Sequence, residues 1–310
     1  MDERSLPVQP QFPEFKPIAL EDRNTIQSIL DAYQPQTSEW TFTNLFVWRS
    51  HYGFQWCIYQ GCLILLSSTD GQVSYAFQPV GPSPRLETVR MLLRWLQEER
   101  GVQDPRIERA DQRLISELQG AADLLIEPTR DHFDYVYRTQ DLIRLAGRKY
   151  HSKKNHLNKF RSEHSFAYDA MAERYVGPCL DLAEAWCQWR RCEEDMGLLH
   201  EWEAVETALK NLNALRLQGG VILIDGKVEA FALGELLNVQ TAVVHVEKAN
   251  PEIPELYAVT NQQCCENLWP NVPFVNREQD LGEPGLRRAK LSYNPDHLAE
   301  KFSVRPADRE

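Results

Sequence analysis

Apolar residues recur at helical spacing in some segments and alternate in others, with short polar or Gly- and Pro-containing breaks between. Ile26, Ile29, Leu30 and Tyr33 follow Glu21 and Asp22 at a spacing that predicts a helix over 20–33. An aromatic block from Trp40 to Trp48 follows, then strand-like stretches over 55–59 and 62–67 joined at Gln60-Gly61 as a hairpin. A strand over 73–80 stops at Gly81-Pro82-Ser83-Pro84, and Val89, Leu92, Leu93 and Leu96 line one side of a helix over 86–99. Shorter elements fall at 114–118 and 134–137. Helices over 175–192 and 201–217 precede a strand pair, 220–224 and 227–237, whose Asp225-Gly226 junction favours a type I′ turn. A strand over 241–247, a helix over 254–268 and a strand over 272–275 complete the pattern. Both halves run helix, antiparallel strands through a tight turn, helix, further strand, with no residue-level repeat. The order predicts an α+β protein of two similar domains, 1–140 and 141–310.

Composition fits that picture. Of 310 residues, 43% are hydrophobic and 25% charged, which suits a soluble protein with sizeable cores. The longest apolar runs, such as 62–66 and 221–224, are too short to span a bilayer, so no integral membrane segment is expected. Residues 1–17 are polar and Pro-rich without an apolar core, which predicts no signal peptide and a cytoplasmic location. The seven cysteines form no paired CxxC motif, so neither a disulfide framework nor a zinc or other metal site is expected. Cys179, Cys187 and Cys192 lie in an apolar helical pattern and are expected to be small buried hydrophobes. The chain has no GxSxG, Walker, HExxH or Rossmann motif, which moves hydrolases, NTPases, zincins and dehydrogenases out of first rank.

Charge changes the picture most. The formal net charge is -11, yet Arg144, Arg148, Lys149, Lys153, Lys154, Lys159 and Arg161 fall within one segment that has no carboxylate. Concentrated positive charge in an acidic protein costs self-repulsion, and it points to a polyanion such as phosphate, RNA or an anionic headgroup. If residues 148–160 form one helix, Tyr150, Leu157 and Phe160 make a narrow apolar seam bordered by Lys149 and Lys153. A solvated basic helix face is the alternative.

Two long motifs carry a resemblance. The first is Phe133-Asp-Tyr-Val-Tyr137 with Asp141-Leu142, Leu145 and Gly147-Arg-Lys-Tyr-His-Ser-Lys-Lys-Asn-His-Leu-Asn-Lys-Phe160. The second is Asn276-Arg-Glu-Gln-Asp-Leu-Gly-Glu-Pro-Gly-Leu-Arg-Arg-Ala-Lys-Leu-Ser-Tyr-Asn-Pro295. Together they resemble the phosphatidylglycerol lysyltransferase C-terminal domain family in its soluble, stand-alone form. The resemblance implies two tandem GNAT-like acyltransferase domains, related to enzymes that move an aminoacyl group from charged tRNA to a lipid or peptidoglycan acceptor.

In acetyl-CoA-dependent GNAT enzymes a glycine-rich loop after the fourth strand binds pyrophosphate through backbone N–H groups. The equivalent stretch, 246–256, has no glycine, two prolines and three carboxylates, so coenzyme A is disfavoured and no cofactor is expected. Aminoacyl-tRNA is the better donor, with Arg148, Lys149, Lys153 and Lys154 as phosphate contacts. Strand alternation over 241–247 puts His245 and Glu247 on one face, with Glu235 on the neighbouring strand. These three and Asp280 are the candidate catalytic residues, as ammonium ligand or general base. Asn276, Arg277, Arg287 and Lys290 are candidate substrate ligands, the three cations forming a clamp; a structural salt bridge between Arg277 and Asp280 is the other reading, and the two are not exclusive. The expected reaction is acyl or aminoacyl transfer to an amine or hydroxyl acceptor whose identity stays open. A coenzyme A-dependent N-acyltransferase with an atypical loop and a non-catalytic polyanion-binding protein are the alternatives.

Overall fold

The structure is a computed structural model that describes residues 9–307. The start of the polar N-terminal stretch, residues 1–8, lies outside the described residues. In chain order, the strands of the first half are β1 (Lys16–Pro17), β2 (Gln55–Tyr59), β3 (Cys62–Thr69), β4 (Gln72–Phe77), β5 (Ile107–Ala110) and β6 (Leu124–Pro128). They are followed by β7 (Asp134–Arg138), β8 (Phe166–Ala170), β9 (Gln218–Ile224), β10 (Lys227–Asn238), β11 (Thr241–Ala249), β12 (Phe274–Asn276), β13 (His297–Ala299) and β14 (Phe302–Pro306). Two seven-stranded sheets result, ordered β1-β2-β3-β4-β5-β14-β6 and β13-β7-β12-β11-β10-β9-β8.

The chain divides into two compact units, residues 1–133 with 299–310, and residues 134–298. This corrects the expected boundary after residue 140. Asp134–Arg138 is already a strand of the second sheet, antiparallel to Phe274–Asn276, and the C-terminal β14 returns to the first sheet between β5 and β6. A returning strand of this kind leaves no local trace, because its partners are more than 170 residues away.

In the first unit β2, β3 and β4 form an antiparallel meander, and the helix Leu86–Glu98 carries the chain over to β5, parallel to β4. Its expected apolar side is the core: Val89, Leu92, Leu93 and Leu96 pack against Ile64, Leu66, Ala76 and Ile107. The aromatic block contains a helix, Phe42–Val47, started by Thr41, whose hydroxyl accepts from the Asn44 amide.

The second unit repeats the order. β8 to β11 are antiparallel neighbours, and the helix Leu256–Leu268 leads into β12, which is parallel to β11. Asp225 and Gly226 turn the β9–β10 hairpin with φ of 51° and 77°, the left-handed pair a type I′ turn needs. In the basic segment a helix over Thr139–Arg144 ends at Leu145, a short 3-10 turn covers Arg148–Tyr150, and the main helix is His151–Glu163. The apolar seam is its anchor, with Tyr150, Leu157 and Phe160 all buried. Cysteine use departs from expectation at one place. The helix Val176–Arg190 ends at Arg191, whose left-handed turn brings Cys187 and Cys192 within 5.1 Å between Cα atoms, and they form a disulfide.

Candidate functional site

The candidate site grows from a mismatch between two neighbouring strands. β11 runs over nine residues, but its parallel pairing with β12 covers only Thr241 to Val243 against Phe274 to Asn276. Beyond Asn276 the chain no longer pairs with β11, although Arg277 and Glu278 still exchange backbone hydrogen bonds with Tyr135 of β7, so the C-terminal part of β11 extends past the end of β12. At the same point the β10–β11 register passes from Leu233↔Val246 to Gly234↔Val244, so His245 is an extra residue, a β-bulge. The bulge overturns the expected alternation. Glu247 pairs in register with Ala232, whereas Glu235, three residues along β10 and so on the other face, pairs with Val243 and bonds His245. His245 and Glu247 therefore serve opposite faces of the sheet.

On one face His245 is held between two carboxylates, Nε2 at 3.0 Å from Glu235 and Nδ1 at 2.9 Å from Glu278. Burial works against its charge, but the two hydrogen bonds outweigh it and raise the imidazole pKa to about 9. His245 is thus an imidazolium at neutral pH with both nitrogens engaged. It ties β11 to the chain that leaves β12.

On the other face Arg277 donates through Nη2 to Glu247 Oε2 at 2.6 Å, and its guanidinium lies 5.2 Å from the Tyr293 ring centre. Burial opposes that charge too, yet Glu247 holds Arg277 above its ordinary pKa. The second oxygen of Glu247, Oε1, is buried and has no hydrogen-bond partner among the described residues. Lys153 of the basic helix is half-buried rather than solvated, with Nζ 4.4 Å from the ring of the same Tyr293. Lys290 donates to the carbonyls of Arg277 and Glu278. Burial first, and the Arg277 charge second, lower its pKa to about 8.

The segment after β12 is knitted by its own side chains. Asn276 Oδ1 accepts from the Glu278 amide at 2.7 Å and its Nδ2 donates to Asp134 at 2.9 Å. Asp280 accepts from Tyr135 at 2.5 Å, from Arg287 Nε and Nη2 at 2.8 Å each, and from the Gly282 amide at 2.9 Å. Although burial opposes it, the Arg287 fork and the Tyr135 hydroxyl keep the Asp280 carboxyl well below the usual range. With four donors in place Asp280 holds the turn into the helix Pro284–Leu291.

The structure thus brings Glu247, Arg277, Lys290 and Lys153 together, while Glu235 and His245 lie across the sheet. Two expectations are corrected. Arg277 pairs with Glu247 instead of Asp280, and the three-cation clamp does not form, because Arg287 is spent on Asp280 and Lys290 on backbone carbonyls. Of the remaining basic residues, Arg148 and Lys154 are exposed, and exposed Lys149 pairs with Asp141 at 3.2 Å. Sequence reasoning missed Glu278 and Tyr293. Both stand inside the second motif, and a residue that aligns charges within a motif was the available signal. At the end of β11 the loop leads to Glu255, whose left-handed backbone (φ 67°) starts the helix Leu256–Leu268 and whose carboxylate lies 2.6 Å from His156 Nδ1. Among the described residues no group of three His, Cys, Asp or Glu is placed to hold a metal ion, and no helix is long and apolar enough to cross a membrane.

Residues 30–305 match the family described as phosphatidylglycerol lysyltransferase, C-terminal. A conserved protein of unknown function from Bacteroides thetaiotaomicron is 31% identical, with a TM-score of 0.88 over 94% of this chain and 99% of its own. L-PGS from Bacillus licheniformis has a TM-score of 0.65 at 10% identity, over 93% of each chain. FemX has a TM-score of 0.55 at 9% identity, over 94% of this chain and 96% of its own. None of the curated proteins matches. The two sheets and their crossover helices are the tandem GNAT-like, α+β architecture that the motifs implied.

Proposed function

Because the chain belongs to the phosphatidylglycerol lysyltransferase C-terminal family, we propose that it is an aminoacyltransferase, moving an aminoacyl group from charged tRNA to an amine or hydroxyl acceptor beside the C-terminal part of β11. The observation that carries this reading is Glu247. It is a half-buried carboxylate at the splay of two parallel strands, with one oxygen fixed by Arg277 and the other without a partner among the described residues. A fixed acceptor oxygen is what an amine nucleophile needs: it accepts an N–H, orients the nitrogen and takes the proton released on attack. In the proposed step the acceptor nitrogen or oxygen adds to the ester carbonyl of the donor. The tetrahedral intermediate then expels the ribose oxygen, which takes up the proton that Glu247 carried.

His245 and Asp280 are positioning residues in this scheme. Each has its hydrogen-bonding capacity committed, His245 to two carboxylates and Asp280 to Tyr135, Arg287 and the Gly282 amide. Lys153 links the basic helix to Tyr293 and so to the Glu247–Arg277 pair, and phosphates next to the donor's reactive end would meet Lys153, with exposed Lys154 beside it on the helix and exposed Arg148 in the 3-10 turn before it. Coenzyme A is disfavoured as donor because Glu255 stands at the helix start where a pyrophosphate would need backbone donors and a positive field.

The test is single-turnover transfer from charged tRNA, with an amine-bearing acceptor set, by wild type and Glu247→Gln. Loss of transfer with retained tRNA affinity supports the reading. Absence of tRNA affinity in the wild type, or tight binding of acetyl-CoA by calorimetry, would overturn the donor assignment.

A further inference from the structure

The helix Leu256–Leu268 is buried on more than one side and carries three consecutive polar residues, Thr260, Asn261 and Gln262, all buried. Two have partners that explain them. The Thr260 hydroxyl donates to the Leu256 carbonyl at 2.8 Å; Gln262 accepts from Arg161 at 2.9 Å and donates to the Ile143 carbonyl at 2.6 Å. Asn261 is 3% exposed, and its Oδ1 has no hydrogen-bond partner among the described residues. A buried acceptor left without a donor loses its hydration and gains nothing in return, which is why such groups are rare.

The position of Asn261 relative to β11 follows from the packing at either end of the helix. Leu256 and Val259 pack in one cluster with Ala249, and Cys264 and Cys265 pack in another with Ala242 and Val244. The helix therefore runs antiparallel to β11, and its middle passes the stretch that holds Glu247. Tyr257, Asn261 and Cys265 are four apart and share one stripe. Burial is the main cause of the raised pKa of both Tyr257 and Cys265, and the Glu247 carboxylate adds to each. Asn261 is bracketed by residues that lie in the field of Glu247.

Two buried acceptor oxygens, Glu247 Oε1 and Asn261 Oδ1, thus lie on the same side of the sheet at the same level of β11 and lack donors among the described residues. We infer that Asn261 is a second ligand of this site, acting with Glu247 to hold a primary amine of the substrate; the assignment rests on the aminoacyl-transfer reading for what that amine belongs to. A primary amine offers two or three N–H donors from one atom and can serve both oxygens, which a single hydroxyl cannot. Arg277 already balances the Glu247 charge, so the amine can be held in its neutral, nucleophilic form as well as in its charged one. The amine is either the α-amino group of the donor's aminoacyl moiety or the attacking amine of the acceptor.

The experiment uses the full chain and three probes: 3′-alanylamido-3′-deoxyadenosine, its Nα-acetyl derivative, and glycinamide as a free amine. Affinities are measured for wild type, Asn261→Leu and Asn261→Asp, each checked for folding by thermal melting. Expected is a preference of the wild type for a free-amine probe that falls about tenfold in Asn261→Leu, equivalent to about 1.4 kcal/mol, and persists in Asn261→Asp. If the adenosine pair carries the Asn261-dependent preference, the amine is the donor's; if both adenosine probes bind the wild type without that preference and glycinamide carries it, the amine is the acceptor's. A folded Asn261→Leu that binds every amine probe as the wild type does would overturn the assignment, and Asn261→Ala replaces it should the leucine variant not fold. The underlying reading fails separately, if neither adenosine probe binds the wild type while glycinamide still binds in an Asn261-dependent way.

Discussion

Glu247 and His245 are two residues apart, and one inserted backbone position separates their roles. Glu247 has an oxygen to offer, so Glu247→Gln, which keeps the shape but cannot take a proton, is expected to lower single-turnover transfer by about 10²- to 10⁴-fold. Affinity for tRNA, dominated by phosphate contacts, should change little in the same protein. His245 gives a different signature. Its folded pKa of about 9 lies above the ordinary 6.5, so the folded state binds more protons between those values. The stabilisation from His245 is then fully present below pH 6.5 and is lost as pH rises towards 9. Lys290 acts in the opposite sense. Its folded pKa of about 8 lies below 10.5, the unfolded state binds more protons between them, and stability rises with pH across that window. The His245 effect is therefore read between pH 6.5 and 8, below the Lys290 window. Urea midpoints there should fall with pH in the wild type and flatten in His245→Gln; a slope that survives the substitution would refute the ion-triad account.

At the scale of elements, the strongest local patterns were the most legible. The helix Leu86–Glu98, the hairpin at Asp225-Gly226 and the seam of the basic helix all follow from periodicity and turn chemistry, since each is specified within about a dozen residues. β6, β8, β13 and β14 were not legible. They are three to five residues long, and β8 and β13 lie at sheet edges, where alternation is too short to stand out. The candidate site was legible in composition and not in geometry. Arg277 and Lys290 were named from the second motif and Glu247 from strand alternation over 241–247, but that same strict alternation hid the bulge at His245 and so misplaced His245 and the partner of Arg277. The bulge is supported from β10. Gly234 lies against Trp269, and a Cβ at that position would come 2.7 Å from the indole ring and also meet the Val243 carbonyl. Gly234→Ala is expected to cost about 1 to 3 kcal/mol, the range for overpacking a close contact, and to lower transfer further by shifting β11. Denaturant unfolding gives the first quantity; an unchanged midpoint would mean that the strand pair yields freely.

For the whole molecule, the two ends of the chain are not equivalent. β14 lies between β5 and β6, so β6 joins its sheet only through a strand supplied by residues 302–306. Removing residues 300–310 should leave the amides of residues 124–127 open to hydrogen exchange while those of β10 and β11 stay protected. Equal loss of protection in both sheets would show that the units do not hold their structure separately. Charge is distributed as unevenly as connectivity: a chain of net -11 exposes Lys154 on the same helix that sends Lys153 inward to Tyr293, and Arg148 in the 3-10 turn just before it. If that helix holds the donor's phosphates, the two kinds of lysine must differ in what they affect. Reversing Arg148 and Lys154 to glutamate should weaken binding of charged and uncharged tRNA alike and reduce the slope of log affinity against log salt by about 1 for each phosphate no longer neutralised. Lys153→Ala removes a cation that shares its aromatic neighbour with Arg277, so it should reduce transfer more than it reduces tRNA affinity. Filter binding across a salt series, paired with single-turnover rates, separates the two effects. If Lys153→Ala changed affinity and rate by the same factor, the helix would act through charge alone, and the site would need another link to the donor.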